Sequence, residues 1–152
     1  MVFHVLKEGE LVKDKAYYDS LTELVIGCAY KVANQLGYGF LEKVYENALR
    51  IELVRAGVQV EQQMPIKVEY SGEIVGDFIA DIVVEDELII ELKTVRKLDD
   101  AHLAQCLNYL KSTGKQLGLL VNFGGQSVQV KRVVNEFNPS AVKQTLKLSA
   151  AD

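Results

Sequence analysis

The sequence is short of the residues from which several kinds of site are built. Its 152 residues include two cysteines, Cys28 and Cys106, and two histidines, His4 and His102. Two thiols are too few for a disulfide framework or a Cys-type zinc site, and two imidazoles are too few for a multi-histidine metal centre. Both cysteines sit in helical patterns beside apolar neighbours and read as buried free thiols of a reducing compartment. No apolar run approaches the roughly 18 residues of a membrane span. Met1-Val2-Phe3-His4 does not open a signal peptide. A cytoplasmic protein without a membrane partner is the expectation. No GxxxxGK[ST] and no strand-linked GxGxxG is present, so the common phosphate-cradling loops are absent. No serine or cysteine has an evident histidine partner for nucleophilic catalysis. Positive charge is not in excess either. Lys plus Arg is 17 and Asp plus Glu is 21, a net charge of −4. That argues against a protein that coats DNA by bulk charge, but not against an enzyme that grips phosphates locally or through metal ions.

What is present suits one ordinary domain. Apolar residues make up 49% and charged residues 25% of the chain, a soluble globular balance. Residues 1–18 are polar and weakly alternating, an arm or a hairpin. Ser20 with Glu23 forms a capping box, and Leu21, Leu24, Val25, Cys28, Val32 and Leu36 follow at helical spacing. Gly37-Tyr38-Gly39 stops that helix. A second helix runs from Phe40 to Ala56 with Leu41, Val44, Tyr45, Ala48, Leu49 and Leu53 on its apolar side. Three strands follow: Val58 to Tyr70, broken by Pro65, then Ile74 to Val84 and Leu88 to Val95. A third helix over Asp100 to Ser112 crosses to the near-continuous apolar strand Leu117 to Phe123. Val128 to Val134 is the last strand of a main domain spanning 19–136. Asn138-Pro139-Ser140 opens a short helix in a C-terminal segment, 137–152. The fold class is α/β (α+β), a mixed sheet of about five strands flanked by helices, with one parallel pair made by the crossover.

The anomaly is charge inside apolar strands. Phe78-Ile79-Ala80-Asp81-Ile82-Val83-Val84 and Leu88-Ile89-Ile90-Glu91-Leu92-Lys93 are apolar at even and odd positions alike, so both faces should be covered. Alternation puts Glu91 and Lys93 on one face. If Glu85-Asp86-Glu87 is a three-residue loop, Asp81 lies opposite Glu91; a tighter turn keeps them neighbours. Two carboxylates across a ladder repel each other, more so when buried. Two readings compensate them. One is an exposed edge hairpin in which Lys93 neutralises one acid. The other is a site for Mg²⁺ or Mn²⁺, which favour hard oxygen ligands and keep waters and phosphate oxygens in their shell. On the third helix, His102, Gln105 and Tyr109 share a side that can face this site, with Leu103, Leu107 and Leu110 in the core. Glu42 and Glu46 form an acidic pair on the second helix. Arg96 and Lys97 follow the motif strand directly, and they, with Lys43, Arg50, Arg55, Lys111, Lys115, Lys131 and Arg132, are candidates to line a phosphate path, scattered surface charge being the plainer reading for most of them.

At these residues the sequence resembles the PD-(D/E)xK nuclease superfamily. Asp81, the short hairpin and Glu91-Leu92-Lys93 match its motif, with Ala80 in place of the proline that names it. Gly27-Cys28-Ala29, Leu36 to Glu42, Val44 to Leu49, Ala80 to Val84, Ala104 to Lys111 and Leu119 to Phe123 are similar to the GxxExxxF family of small proteins. The likeness covers Leu21 to Val134. It implies a restriction-endonuclease-like core and a Mg²⁺-dependent (or Mn²⁺-dependent) nuclease acting on nucleic acid, with DNA the expected polymer. Asp81, Glu91 and the main-chain carbonyl of Leu92 would bind metal, and Lys93 would be the catalytic lysine. Gln105 and Tyr109 match the QxxxY pattern of the RecB-like branch. Glu46, with Glu42 second, matches the acidic residue which that branch contributes from an early helix. Ala33, Tyr38 and Phe78-Ile79 stand where relatives often carry histidine, proline and an aromatic-Arg pair. These departures motivate the alternative, a catalytically inactive module that binds nucleic acid or a protein partner. A homodimer joined through the N-terminal arm is a further expectation.

Overall fold

Asp14 starts the first long helix. Its carboxylate accepts a hydrogen bond from the Tyr17 N–H at 3.0 Å, satisfying one of the free donors of the first turn. Helix α1 therefore runs Lys15–Leu36, and Ser20 and Glu23 lie inside it. The expected capping box at Ser20 is corrected: that pattern caps only where the chain enters a helix, and here the chain enters one turn and more earlier. The structure, a computed structural model, describes residues 4–6 and 10–136. The expected short helix at Asn138-Pro139-Ser140 lies outside the described residues.

Ahead of α1, β1 (His4–Leu6) and β2 (Glu10–Val12) pair antiparallel, the hairpin form of the expected arm. After α1 come α2 (Glu42–Arg55), β3 (Val60–Tyr70), β4 (Glu73–Val84), β5 (Leu88–Lys93), α3 (Asp100–Thr113), β6 (Leu117–Asn122) and β7 (Gln129–Val134). Strands β3 to β7 form one five-stranded sheet in chain order. Only β5 and β6, joined by α3, are parallel within it. Pro65 does not break β3. The strand is an edge, where a residue without an N–H is tolerated. Asp99 caps α3, its carboxylate accepting the His102 N–H at 3.0 Å while His102 Nδ1 accepts the Asp99 N–H at 3.1 Å. His102 is thereby committed to the cap. Gly114 ends α3 with φ 72°, a left-handed conformation that costs glycine little.

The sheet separates two apolar layers. Val25, Ala29, Tyr45, Leu49, Ile82, Val84, Ile90 and Leu92 fill the layer under α1 and α2. Ala80, Val83, Ile89, Cys106, Tyr109, Leu110 and Leu120 fill the layer under α3. Every residue of β6 is buried, as its apolar run predicts. Alternation along a strand should put residues two apart on one face. Ala80 and Ile82 nevertheless lie in different layers, as do Met64 and Val60. Both strands change phase on one rung, bracketed by Gln62↔Ile82 and Met64↔Ala80. That rung holds Gln63, at φ 55°, and Asp81. Like a bulge, it re-aims side chains without changing register.

One expectation for α2, its apolar side, is corrected. Leu41 is 81% exposed and Val44 is also exposed, so the apolar side is narrower than its sequence suggests. Glu46 is buried, because β3 arrives across it from elsewhere in the chain.

Close packing sets the sign of two glycine substitutions. A Cβ on Gly124 would stand 2.4 Å from the Val95 carbonyl oxygen and 2.5 Å from the Val95 nitrogen. Gly124→Ala should therefore cost about 1–3 kcal/mol. A Cβ on Gly27, inside α1, meets nothing within 4 Å, so Gly27→Ala should stabilise by about 0.5–1 kcal/mol. Urea unfolding of both variants checks the opposite signs.

A buried carboxylate pair as a candidate metal centre

The register Ile82↔Ile90, Val83↔Ile89, Val84↔Leu88 leaves Glu85-Asp86-Glu87 as a three-residue link. One rung further, Asp81 faces Glu91, as the three-residue reading predicts. Here side chains replace the ladder. Asp81 Oδ2 accepts the Leu92 N–H at 2.8 Å, and Glu91 Oε1 accepts the Asp81 N–H at 3.3 Å. Each carboxylate thus takes a main-chain donor from the opposite strand. The N–H and C=O of one extended residue point to the same strand edge. The Leu92 carbonyl therefore faces β4, beside the pair.

Burial makes this arrangement costly for charge. Glu91 is 5% exposed. Removal from water, and then the neighbouring Asp81 charge, push its carboxyl up to about 8. Asp81 is also raised, chiefly by burial and further by Glu46, against the opposing Leu92 hydrogen bond. Glu42, half-buried at the start of α2, is raised by burial and then by Asp81. Lys93 acts favourably on these charges but forms no ion pair with either carboxylate among the described residues. Its Nζ instead donates to Gln105 Oε1 at 3.4 Å. A cluster of acids this poorly compensated fits a cation.

The fit can be specified by donor set. Among the described residues no three Asp, Glu, His or Cys side chains converge as a ligand cluster. Asp81, Glu91 and the Leu92 carbonyl would supply oxygen donors alone. That suits Mg²⁺ or Mn²⁺, which fill their remaining positions with water and phosphate oxygens.

The other sequence-predicted residues divide. Gln105 and Lys93 meet, and Tyr109 lies close enough for Glu91 and Asp81 to raise its hydroxyl's pKa, after burial itself. Tyr109 is a core residue and not part of an exposed polar stripe, its ring 5.4 Å from that of Phe78. Glu46 stands near Asp81, but its oxygens are already engaged. Gln62 Nε2 donates to it at 2.5 Å, Gln63 Nε2 at 2.7 Å and Lys43 Nζ at 2.8 Å. Arg96 and Lys97 are exposed on the loop after β5. Buried Asn122 clamps that loop. Its Oδ1 accepts the Val95 and Gly124 N–H groups, both at 3.0 Å, and its Nδ2 donates to the Val95 carbonyl at 2.8 Å. Sequence reasoning missed Gln62, Gln63 and the clamp role of Asn122. Asn122 had one signal, a polar residue at the end of an apolar strand; Gln62 and Gln63, among the many polar residues of β3, had none.

The raised Glu91 carboxyl sets a pH dependence. Its folded pKa lies above its unfolded value, so the folded state holds the proton more tightly. Stability from this group is present at low pH and is lost as pH rises from about 4.5 towards about 8. In EDTA, Glu91→Gln should gain melting temperature over the parent progressively across that window. Mg²⁺ or Mn²⁺ competes with the proton, so either ion should raise the parent's melting temperature more at pH 8 than at pH 5.

The family model of the PD-(D/E)XK nuclease superfamily matches residues 19–133. No curated protein sequence matches. Among solved structures, the crystal structure of SSO0001 is similar with a TM-score of 0.51 and 17% identity, over 87% of this chain and 66% of that one. The chain thus spans just under two thirds of that protein. An alkaline exonuclease (LHK-Exo) from Laribacter hongkongensis is similar with a TM-score of 0.47 and 14% identity, over 92% of this chain and 79% of that one. Its complex with dAMP gives 0.48 and 14%, over 90% and 77%. The mixed five-stranded sheet between helical layers is the restriction-endonuclease-like fold. With most of the chain, including the whole Asp81–Lys93 hairpin, matched by the family model, the chain belongs to the PD-(D/E)XK nuclease superfamily.

Proposed function

We propose that this protein is a Mg²⁺- or Mn²⁺-dependent nuclease that hydrolyses phosphodiester bonds of nucleic acid, DNA first among the candidates. The observation that carries the reading is the facing pair of Glu91, buried, and Asp81, half-buried, with no ion-paired cation on either among the described residues. A protein built only for stability gains nothing from such a pair. A divalent ion bound there would acidify a water and screen the charge that builds on phosphorus.

The chain's own groups then have distinct tasks. Asp81 and Glu91 hold the ion and fix its place on the sheet. Lys93, on the Glu91 face and tethered to Gln105, offers a positive charge to a phosphate oxygen as negative charge develops. Gln105 steers that ammonium group. Glu42 takes up local positive charge near Asp81 and Lys93. Glu46, held by Lys43, Gln62 and Gln63, adds negative potential to the metal position without ligating. Arg96 and Lys97 meet substrate phosphates from the clamped loop. In the reaction the water oxygen bonds to phosphorus, the bond to one sugar oxygen breaks, and that oxygen leaves with a proton. The motif blocks around Gly27, Glu42 and Gln105 support placing the chain with the GxxExxxF proteins and the RecB-like branch.

One observation favours a second reading, an inactive nucleic-acid or protein-binding module. No third acid joins Asp81 and Glu91 among the described residues, and Glu46 is engaged elsewhere.

Cleavage of single- and double-stranded DNA and RNA, with Mg²⁺, Mn²⁺ or EDTA, decides between them. Asp81→Ala and Lys93→Ala should each lower metal-dependent cleavage about a hundredfold or more. The parent's melting temperature should rise with metal, and that of Asp81→Ala should not. Equal cleavage by parent and variants would mark a contaminating enzyme and sink the nuclease reading. Neither cleavage nor a metal-induced rise in the parent would favour the inactive module.

A further inference from the structure

Gln105, which accepts the Lys93 hydrogen bond, also lines a cavity beyond the carboxylate pair. This cavity of about 550 Å³ lies between α3 and the outer part of the β3–β4 hairpin, and Phe78, Gln105, Asn108, Tyr109 and Lys111 are among its walls. A second cavity of about 470 Å³ shares Val68, Lys111 and Ser112 with the first and adds Lys67 and Glu69. Through the residues they share, the two make one groove that has Gln105 in one part and Lys67 in the other.

The groove's chemistry is mixed in a particular way. Phe78 is 42% exposed, although it packs against the buried Tyr109 ring. An apolar ring left open to solvent in a cavity is a stacking platform. The amides of Gln105 and Asn108 offer donors and acceptors along the wall. Lys111 and Lys67 form no ion pair among the described residues, and Glu69 is the one acid among the lining residues of either cavity. Ring, amide and cation in sequence match a polymer that repeats a flat base and a phosphate. The bases of a duplex are stacked inside it and cannot reach Phe78. Unpaired bases can, and base–aromatic contact tolerates any sequence.

We propose that this groove binds the unpaired nucleotides of a single strand next to the scissile phosphate, with one base stacked on Phe78 and a phosphate at Lys111. The identity of the polymer rests on the nuclease reading; the form of the polymer, single-stranded within the groove, comes from the groove itself.

Fluorescence anisotropy tests it with a labelled 12-nucleotide single strand and the matching duplex. EDTA keeps both intact, and the full chain is used. The parent should bind the single strand more tightly than the duplex. Phe78→Leu, which keeps an apolar contact on Tyr109, should weaken single-strand binding about fivefold to a hundredfold with little change in melting temperature. Lys111→Gln should reduce the slope of log K against log salt by about 0.7, one phosphate's worth for a single strand. Parent affinity and parent salt slope in both variants, or a duplex bound better than the single strand, would overturn the proposal. Metal-dependent cleavage with unaltered binding by both variants would remove the groove and leave the nuclease reading. Groove-dependent binding by a parent that never cleaves would do the reverse.

Discussion

Two carboxylates held face to face, Glu91 buried and Asp81 half-buried, constrain the centre of this molecule. Asp81 and Glu91 would separate or reach water if the strands allowed it. They stay because the link Glu85-Asp86-Glu87 fixes the register, and because each carboxylate takes a main-chain N–H from the opposite strand. The cost is carried by the fully buried strands around them, with Ile82, Ile89, Ile90 and Leu92 sealed between two layers of helices. A superfamily that handles phosphodiesters has reason to keep such a feature. Acids left so poorly compensated are suited to a cation with oxygen ligands.

Much of this was legible from the chain. The three-residue link places Asp81 across from Glu91, and period-two alternation puts Lys93 beside Glu91. The continuous apolar run of β6 announces a strand covered on both sides, and the helix between β5 and β6 announces their parallel pairing. These features are local, or follow from one rule applied once. What was hidden depends on segments that meet only in the fold. Glu46 looks like a surface acid until β3 brings Gln62 and Gln63 onto it. Tyr109 looks like part of a polar stripe until Phe78 covers it. Asn122 ends an apolar strand, and nothing near it in sequence reveals that it holds Val95. The phase change at Gln63 and Asp81 was invisible for another reason. Alternation assumes an unbroken strand, and both strands break it on the same rung.

That shared rung links the fold to the site. On its inner side, β3 and β4 cover the α1–α2 layer with Val60, Ile82 and Val84. On its outer side they turn their apolar residues to α3. Asp81 stands at the point of change, where its N–H is free to serve Glu91 instead of the β3 ladder.

The sheet's two margins bear on how molecules of this kind meet one another. An outer strand with a full row of main-chain donors invites a copy of itself to add on. Here one margin, the unbroken β3, lacks a main-chain donor at Pro65, and the other, β7, carries Lys131 and Arg132 in mid-strand. Stacking of sheets edge to edge is disfavoured on both sides. The short, largely apolar strands β5 and β6 lie inside the sheet, away from both margins, where they cannot seed aggregates through an open edge.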